Sequence, residues 1–157
     1  MRKRRIIIIG LAGVVAIMQL IRPERNYSDQ VYQDMAEIYN APDTIRRILK
    51  RSCTDCHSNN TRYPWYAEVQ PFGWFLDDHI RKGKKDLNLD EFAEYSNRKK
   101  ISKLKSMRNQ VRDGEMPLTS YSFMHKDARL SDYQKNQLID WFDKIRDSLK
   151  TEYNYGK

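Results

Sequence analysis

The chain has 157 residues, 39% of them hydrophobic and 32% charged, enough for one small domain with a modest core but not for two. Its formal charge of +8 overstates a nucleic-acid signal, because Arg2, Lys3, Arg4 and Arg5 are four of the 29 basic residues and leave 25 against 21 acidic ones elsewhere. That excess is too mild for DNA or RNA binding. Both cysteines fall within one five-residue motif, so no pair remains for a structural disulfide.

In chain order, the basic cluster precedes an apolar run from Ile6 to Ile21, interrupted only by glycines and Gln19. Sixteen helical residues cover roughly 24 Å, close to the ~30 Å hydrocarbon core if flanking arginines snorkel. The end of the run, Met18-Gln19-Leu20-Ile21-Arg22, lacks a small-x-small cleavage site. Residues 1–21 are therefore expected to be an uncleaved membrane anchor helix with its basic end in the cytoplasm, which puts the remainder on the periplasmic side of a bacterial inner membrane. Residues 22–42 are polar between Pro23 and Pro42 and read as a tether, with one loose turn through Val31, Met35 and Ile38.

Asp43 is a good N-cap, and Ile45, Ile48, Leu49, Ser52 and Cys53 then recur at i, i+3, i+4, i+7 and i+8. This first domain helix runs straight into Cys53-Thr54-Asp55-Cys56-His57. Two thiols one turn apart can each add to a vinyl group of a single haem, and the histidine that follows is then held under the iron as its proximal ligand. Two other chemistries use such residues. A thiol redox pair should sit near a βαβ pattern, which is absent; a zinc site would need a fourth ligand from His79 or His125.

Residues 58–66 have no helical period and carry Tyr63, Trp65 and Tyr66 around Pro64. Tyr63 and Trp65 are candidates to flank a flat apolar porphyrin edge, or else plug the core. A short helix is expected over 71–83, closed by Gly83, with Phe72, Phe75, Leu76, His79 and Ile80 on one face. Asp90 caps a turn with Phe92 and Tyr95, and Ile101, Leu104, Met107 and Val111 form a helix ending at Gly114. Between 81 and 112 stand eleven basic residues against four acidic ones, a surface able to steer an acidic redox partner.

Gly114-Glu115-Met116-Pro117 opens a stretch expected to be long and irregular up to Leu130. A thioether is a soft neutral ligand suited to haem iron opposite histidine, and Pro117 stiffens the chain beside it. Met116 is thus the preferred distal ligand, ahead of His79 and then His125. Tyr121 and Arg129 could hydrogen-bond the haem propionates. Ser131 to Gln134 is a capping-box pattern, and behind it Leu138, Trp141, Phe142, Ile145 and Leu149 draw one apolar stripe. That helix is expected to lie over the first, with 151–157 as a tail.

An attachment motif after an early helix, a Met-Pro loop late in the chain and a closing amphipathic helix resemble a single-haem cytochrome c with His/Met ligation. More narrowly, Cys53 to His57 with Ser-Asn-x-Thr-x-Tyr-Pro-Trp-Tyr, then Gly-Glu-Met-Pro-Leu-x-x-Tyr and His125 before Ala128-Arg129-Leu130-Ser131, resembles the small haem-binding domain family of membrane-anchored bacterial proteins, over roughly residues 20–150. The resemblance implies an all-α, exported haem protein. The expectation is a cytochrome c-like domain over 43–150 with one covalent haem c, acting as an electron carrier and not a catalyst. Its alternatives are a haem sensor or enzyme with an open or His-ligated distal position, and a zinc or thiol protein without haem.

Overall fold

The computed structural model describes residues 2–28, 30 and 33–155. Among them helix is the only regular structure, so the all-α expectation holds. The first helix, α1 (Arg2–Met18), has no buried residue. Its first four residues are basic, which leaves thirteen from Ile6 to Met18, a rise of about 20 Å against a ~30 Å hydrocarbon core. Among the described residues no helix is long and apolar enough to cross a membrane. This corrects the spanning anchor: the helix stops where Gln19 turns onto the domain, its Nε2 donating to Gln70 O (3.2 Å) and its Oε1 accepting from Gln70 N (2.9 Å).

The segment after α1 is more than a tether. A single turn, α2 (Met35–Ile38), is capped by Asp34 and puts Met35 (0% exposed), Ala36 and, just beyond it, Ala41 into the core. Val31 lies outside the described residues. Asn26 Nδ2 donates to Ser58 O (3.0 Å) and Thr61 Oγ1 (2.9 Å), which stitches the segment to the loop after the cysteine motif.

Helix α3 (Asp43–Ser52) buries Ile45, Ile48 and Leu49, as its spacing predicts. Pro42 occupies the N-cap position and Asp43 stands inside the first turn, where its charge suits the helix dipole without a capping hydrogen bond. One turn, α4 (Thr54–His57), carries the second cysteine and the histidine. After a 3-10 turn over Trp65–Glu68, α5 (Phe72–Asp86) runs a turn longer than expected. Gly83 does not close it. A Cβ at Gly83 would stand 2.9 Å from Cys56 O and 3.2 Å from Cys56 Cβ, so this glycine lets α5 lie directly on α4.

Helix α6 (Asn97–Asp113) is capped by Ser96 and stopped by Gly114 at φ 73°, a left-handed value that favours glycine. The stretch to Leu130 is less irregular than expected: it holds α7 (Thr119–Met124) and a 3-10 turn over Lys126–Ala128. The capping box at Ser131 forms in both directions, Ser131 N to Gln134 Oε1 (2.9 Å) and Gln134 N to Ser131 Oγ (3.2 Å). Helix α8 (Asp132–Tyr155) begins there and continues into the expected tail as far as Tyr155. Its whole apolar stripe is buried. Its principal partner is α6, with α3 second, so the lid covers two helices.

Candidate functional site

Cys53 ends α3 and begins α4, and its carbonyl accepts from both Cys56 N (3.2 Å) and His57 N (3.0 Å). This turn puts both thiols and the imidazole on one cavity of about 450 Å³, whose wall also includes His79, Gly83, Ser106, Gln110, Met116, Leu118 and Tyr121. His57 and Met116 line a smaller extension of about 50 Å³ as well, closed by Phe142. His57 Nδ1 lies 3.0 Å from Leu87 O. A carbonyl can only accept, so Nδ1 carries the proton and Nε2 keeps its lone pair for a metal. Leu89 N donates to His57 O (2.8 Å), so the histidine is fixed from both its ring and its backbone.

Met116 reaches the cavity through the end of α6. Once Gly114 has reversed the chain, Glu115 N (2.9 Å) and Met116 N (3.2 Å) both donate to Gln110 O. One carbonyl at the end of the helix, taking two amides, thereby fixes the loop that carries the thioether.

An adjoining cavity of about 490 Å³ opens beside Cys56, with Trp65, Tyr66, Phe72, Phe75, Leu76 and His79 on its largely apolar wall. Trp65 belongs here, 75% exposed. Tyr63 does not: its hydroxyl accepts from Asn26 N (2.7 Å) and its ring packs against Arg25 and Tyr27, so it braces the N-terminal segment. Arg129 lines neither cavity and donates to Ser122 O (3.0 Å). Tyr121 does line the cavity, but its hydroxyl donates to Asp55 Oδ2 (2.6 Å). His125 Nε2 meets the Tyr66 hydroxyl (2.8 Å), and its ring stacks on Tyr121 with centroids 4.3 Å apart. It is outside the 450 Å³ cavity, whereas His79 is on both and binds Phe75 O through Nδ1 (2.7 Å).

The residue that sequence reasoning missed is Asp55, between the two cysteines. It is buried at 6% exposure and is met by Tyr121 and by Arg62 Nε (3.1 Å). An acid in a spacer position gives little warning in sequence; the arginine seven residues on was the available signal. The Leu87 carbonyl and Gln110 carbonyl had none.

Burial, then the charge of its partner thiol, pushes Cys53 up to about 12; burial, then Asp55, pushes Cys56 up to about 11. A redox dithiol needs the opposite, a lowered pKa in an electropositive setting. Among the described residues no three His, Cys, Asp or Glu side chains cluster as a metal group would require. Two neutral thiols, an imidazole with a free Nε2 and a thioether on one cavity suit a porphyrin with its iron better than a bare metal ion.

Fold and cavity together are those of a small all-helical domain with room for a haem. The chain matches the haem-binding domain family over residues 13–144 and belongs to it. It is also 25% identical over 150 residues to the cytochrome c peroxidase Ccp of Escherichia coli (strain K12), an overlap covering 90% of this chain and 32% of that protein. The chain thus spans about a third of the length of that curated relative. No solved structure matches it.

Proposed function

We propose that this chain is a c-type cytochrome that carries one haem through thioethers at Cys53 and Cys56, takes His57 and Met116 as axial ligands, and works as an electron carrier. The observation that carries the reading is the meeting of these four side chains on one cavity. The haem supplies a one-electron couple, and the chain's own residues hold and tune it. Leu87 O orients His57, and the Gln110 carbonyl seats the Met116 loop. Gly83 leaves room for the attachment turn against α5, and Trp65, Phe72 and Phe75 offer an apolar wall beside Cys56. With two side chains on the iron no position is open for substrate, and a neutral sulfur ligand favours the reduced form.

The compartment and partner follow from the same proposal. The haem domain works on the periplasmic side of a bacterial inner membrane, the side on which thioether attachment takes place. Exposed Lys85, Arg98 and Lys105 favour an acidic redox partner. The test is the absorption spectrum of the reduced protein together with a denaturing gel stained for haem. A c-type α-band and haem that stays with the polypeptide are expected; haem lost on denaturation would refute covalent attachment.

One observation favours a second reading. The similarity to a protein named a peroxidase suits a haem enzyme with an exchangeable distal position, for which His79, the other histidine lining the cavity, is the candidate. Carbon monoxide separates the two: slow, partial binding to the ferrous protein is expected of His/Met ligation, and rapid stoichiometric binding of an open iron.

A further inference from the structure

The loop that presents Met116 is staked at two places. On one side Glu115 and Met116 amides hold to Gln110 O. On the other, five residues past the methionine, Tyr121 donates to Asp55 Oδ2 at 2.6 Å. Asp55 immediately precedes Cys56, so the second stake joins the chain that approaches one side of the cavity to the turn that carries the attachment thiol.

The rest of α7 reinforces this join. The Tyr121 ring is stacked on His125 at an interplanar angle of 13°, and His125 is held by Tyr66 at 2.8 Å. Ser52 Oγ donates to Ala128 O (3.0 Å), which fastens the next turn to the end of α3. Arg62 closes the carboxylate from the opposite direction, Nε to Oδ1 at 3.1 Å, and the Arg62 amide reaches the same oxygen at 3.4 Å. Asp55 is thus a buried anion with both oxygens engaged, and a hydrogen bond to such an anion is among the stronger ones available to a side chain.

We infer that Asp55 and Tyr121 are positioning residues for the distal ligand: their hydrogen bond holds the 114–121 loop closed over the cavity and so controls how readily Met116 leaves the iron. The inference rests on the proposed Met116 ligation. Its role differs from general stabilisation, because the clasp joins the attachment turn to the distal loop and to no part of the α6–α8 pair.

The experiment compares carbon monoxide binding to the ferrous, full-length holoprotein in four chains: the parent, Tyr121→Phe, Met116→Ala and Ser131→Ala. Carbon monoxide can enter only when the sulfur has left, so its rate reads the opening of the loop. Tyr121→Phe should bind carbon monoxide roughly tenfold faster or more, the loss of a hydrogen bond to a charged group. It should retain haem on a denaturing gel and, once oxidised, still show at low temperature the weak near-infrared charge-transfer band of a sulfur-ligated ferric haem. Ser131→Ala removes a helix cap of comparable worth remote from the loop, and should leave the rate unchanged. Asp55→Asn keeps an oxygen for Tyr121, so its rate should fall between the parent and Tyr121→Phe; if Tyr121→Phe does not accumulate as holoprotein, this variant carries the test. A parental rate in Tyr121→Phe or Asp55→Asn, with fast binding in Met116→Ala, would overturn the clasp and leave the ligation intact. Equal acceleration in Ser131→Ala would show general loosening and overturn it too. An unchanged spectrum in Met116→Ala would remove the ligation, and the clasp's role with it.

Discussion

Met35→Ala tests whether residues 22–42 are part of the domain. Met35 is 0% exposed and belongs to the main core cluster. Its amide donates to Leu89 O at 2.9 Å, while the Leu89 amide donates to His57 O at 2.8 Å and Leu87 O takes the His57 ring proton. Truncating a fully buried Met leaves a cavity at a cost of about 2–5 kcal/mol, a large part of the roughly 5–15 kcal/mol that stabilises a domain. With a urea slope of about 2 kcal/mol/M, the midpoint of the holoprotein followed by far-UV circular dichroism should drop by about 1–2.5 M. The solvent-facing Glu37→Ala should move it by less than about 0.3 M, in line with surface substitutions. The damage should also reach the haem, because the 87–89 strip that steadies His57 loses its backing. A midpoint within experimental error of the parent would mean that α2 docks without contributing, and the reasoning from burial would be wrong.

Gly114→Ala isolates backbone strain: its φ is 73° and nothing lies within 4 Å of the added Cβ, so the expected loss is about 1 kcal/mol in urea denaturation with no packing change. Cys53→Ala or Cys56→Ala should each leave a single thioether and weaken haem retention, and the double variant should release all haem on a denaturing gel. Burial, followed by the hydrogen bond to Asp55, raises the Tyr121 hydroxyl above its ordinary value of 10.0, and burial raises Tyr66 and Tyr39 as well. An acid held protonated in the fold contributes stability below its unfolded pKa and loses it as pH climbs beyond. Unfolding free energy should therefore fall above about pH 10, and Tyr121→Phe should fall less steeply; parallel curves would contradict the assignment.

Periodicity alone determined the helices that bury a stripe. Ile45, Ile48 and Leu49, the run Leu104 to Val111, and Leu138 to Leu149 are all where a 3.6-residue repeat puts them, and the Ser131 box and Gly114 stop are local events within one turn of chain. The cysteine motif is legible for the same reason, since its geometry is one turn of helix. What tertiary structure decided are pairings between residues far apart in sequence. Gly83 looks like a terminator until Cys56 is seen against it. Tyr63 looks like a haem neighbour until Asn26 claims its hydroxyl, and polar 22–42 looks like a tether until Met35 enters the core. Asp55 has Arg62 close in sequence, but its tie to the distal loop comes from Tyr121, sixty-six residues on. Local sequence specifies which face of an element is apolar; which hydroxyl, carbonyl or carboxylate it meets depends on the packing of elements, because an unpaired buried polar group costs more than any local preference can offset.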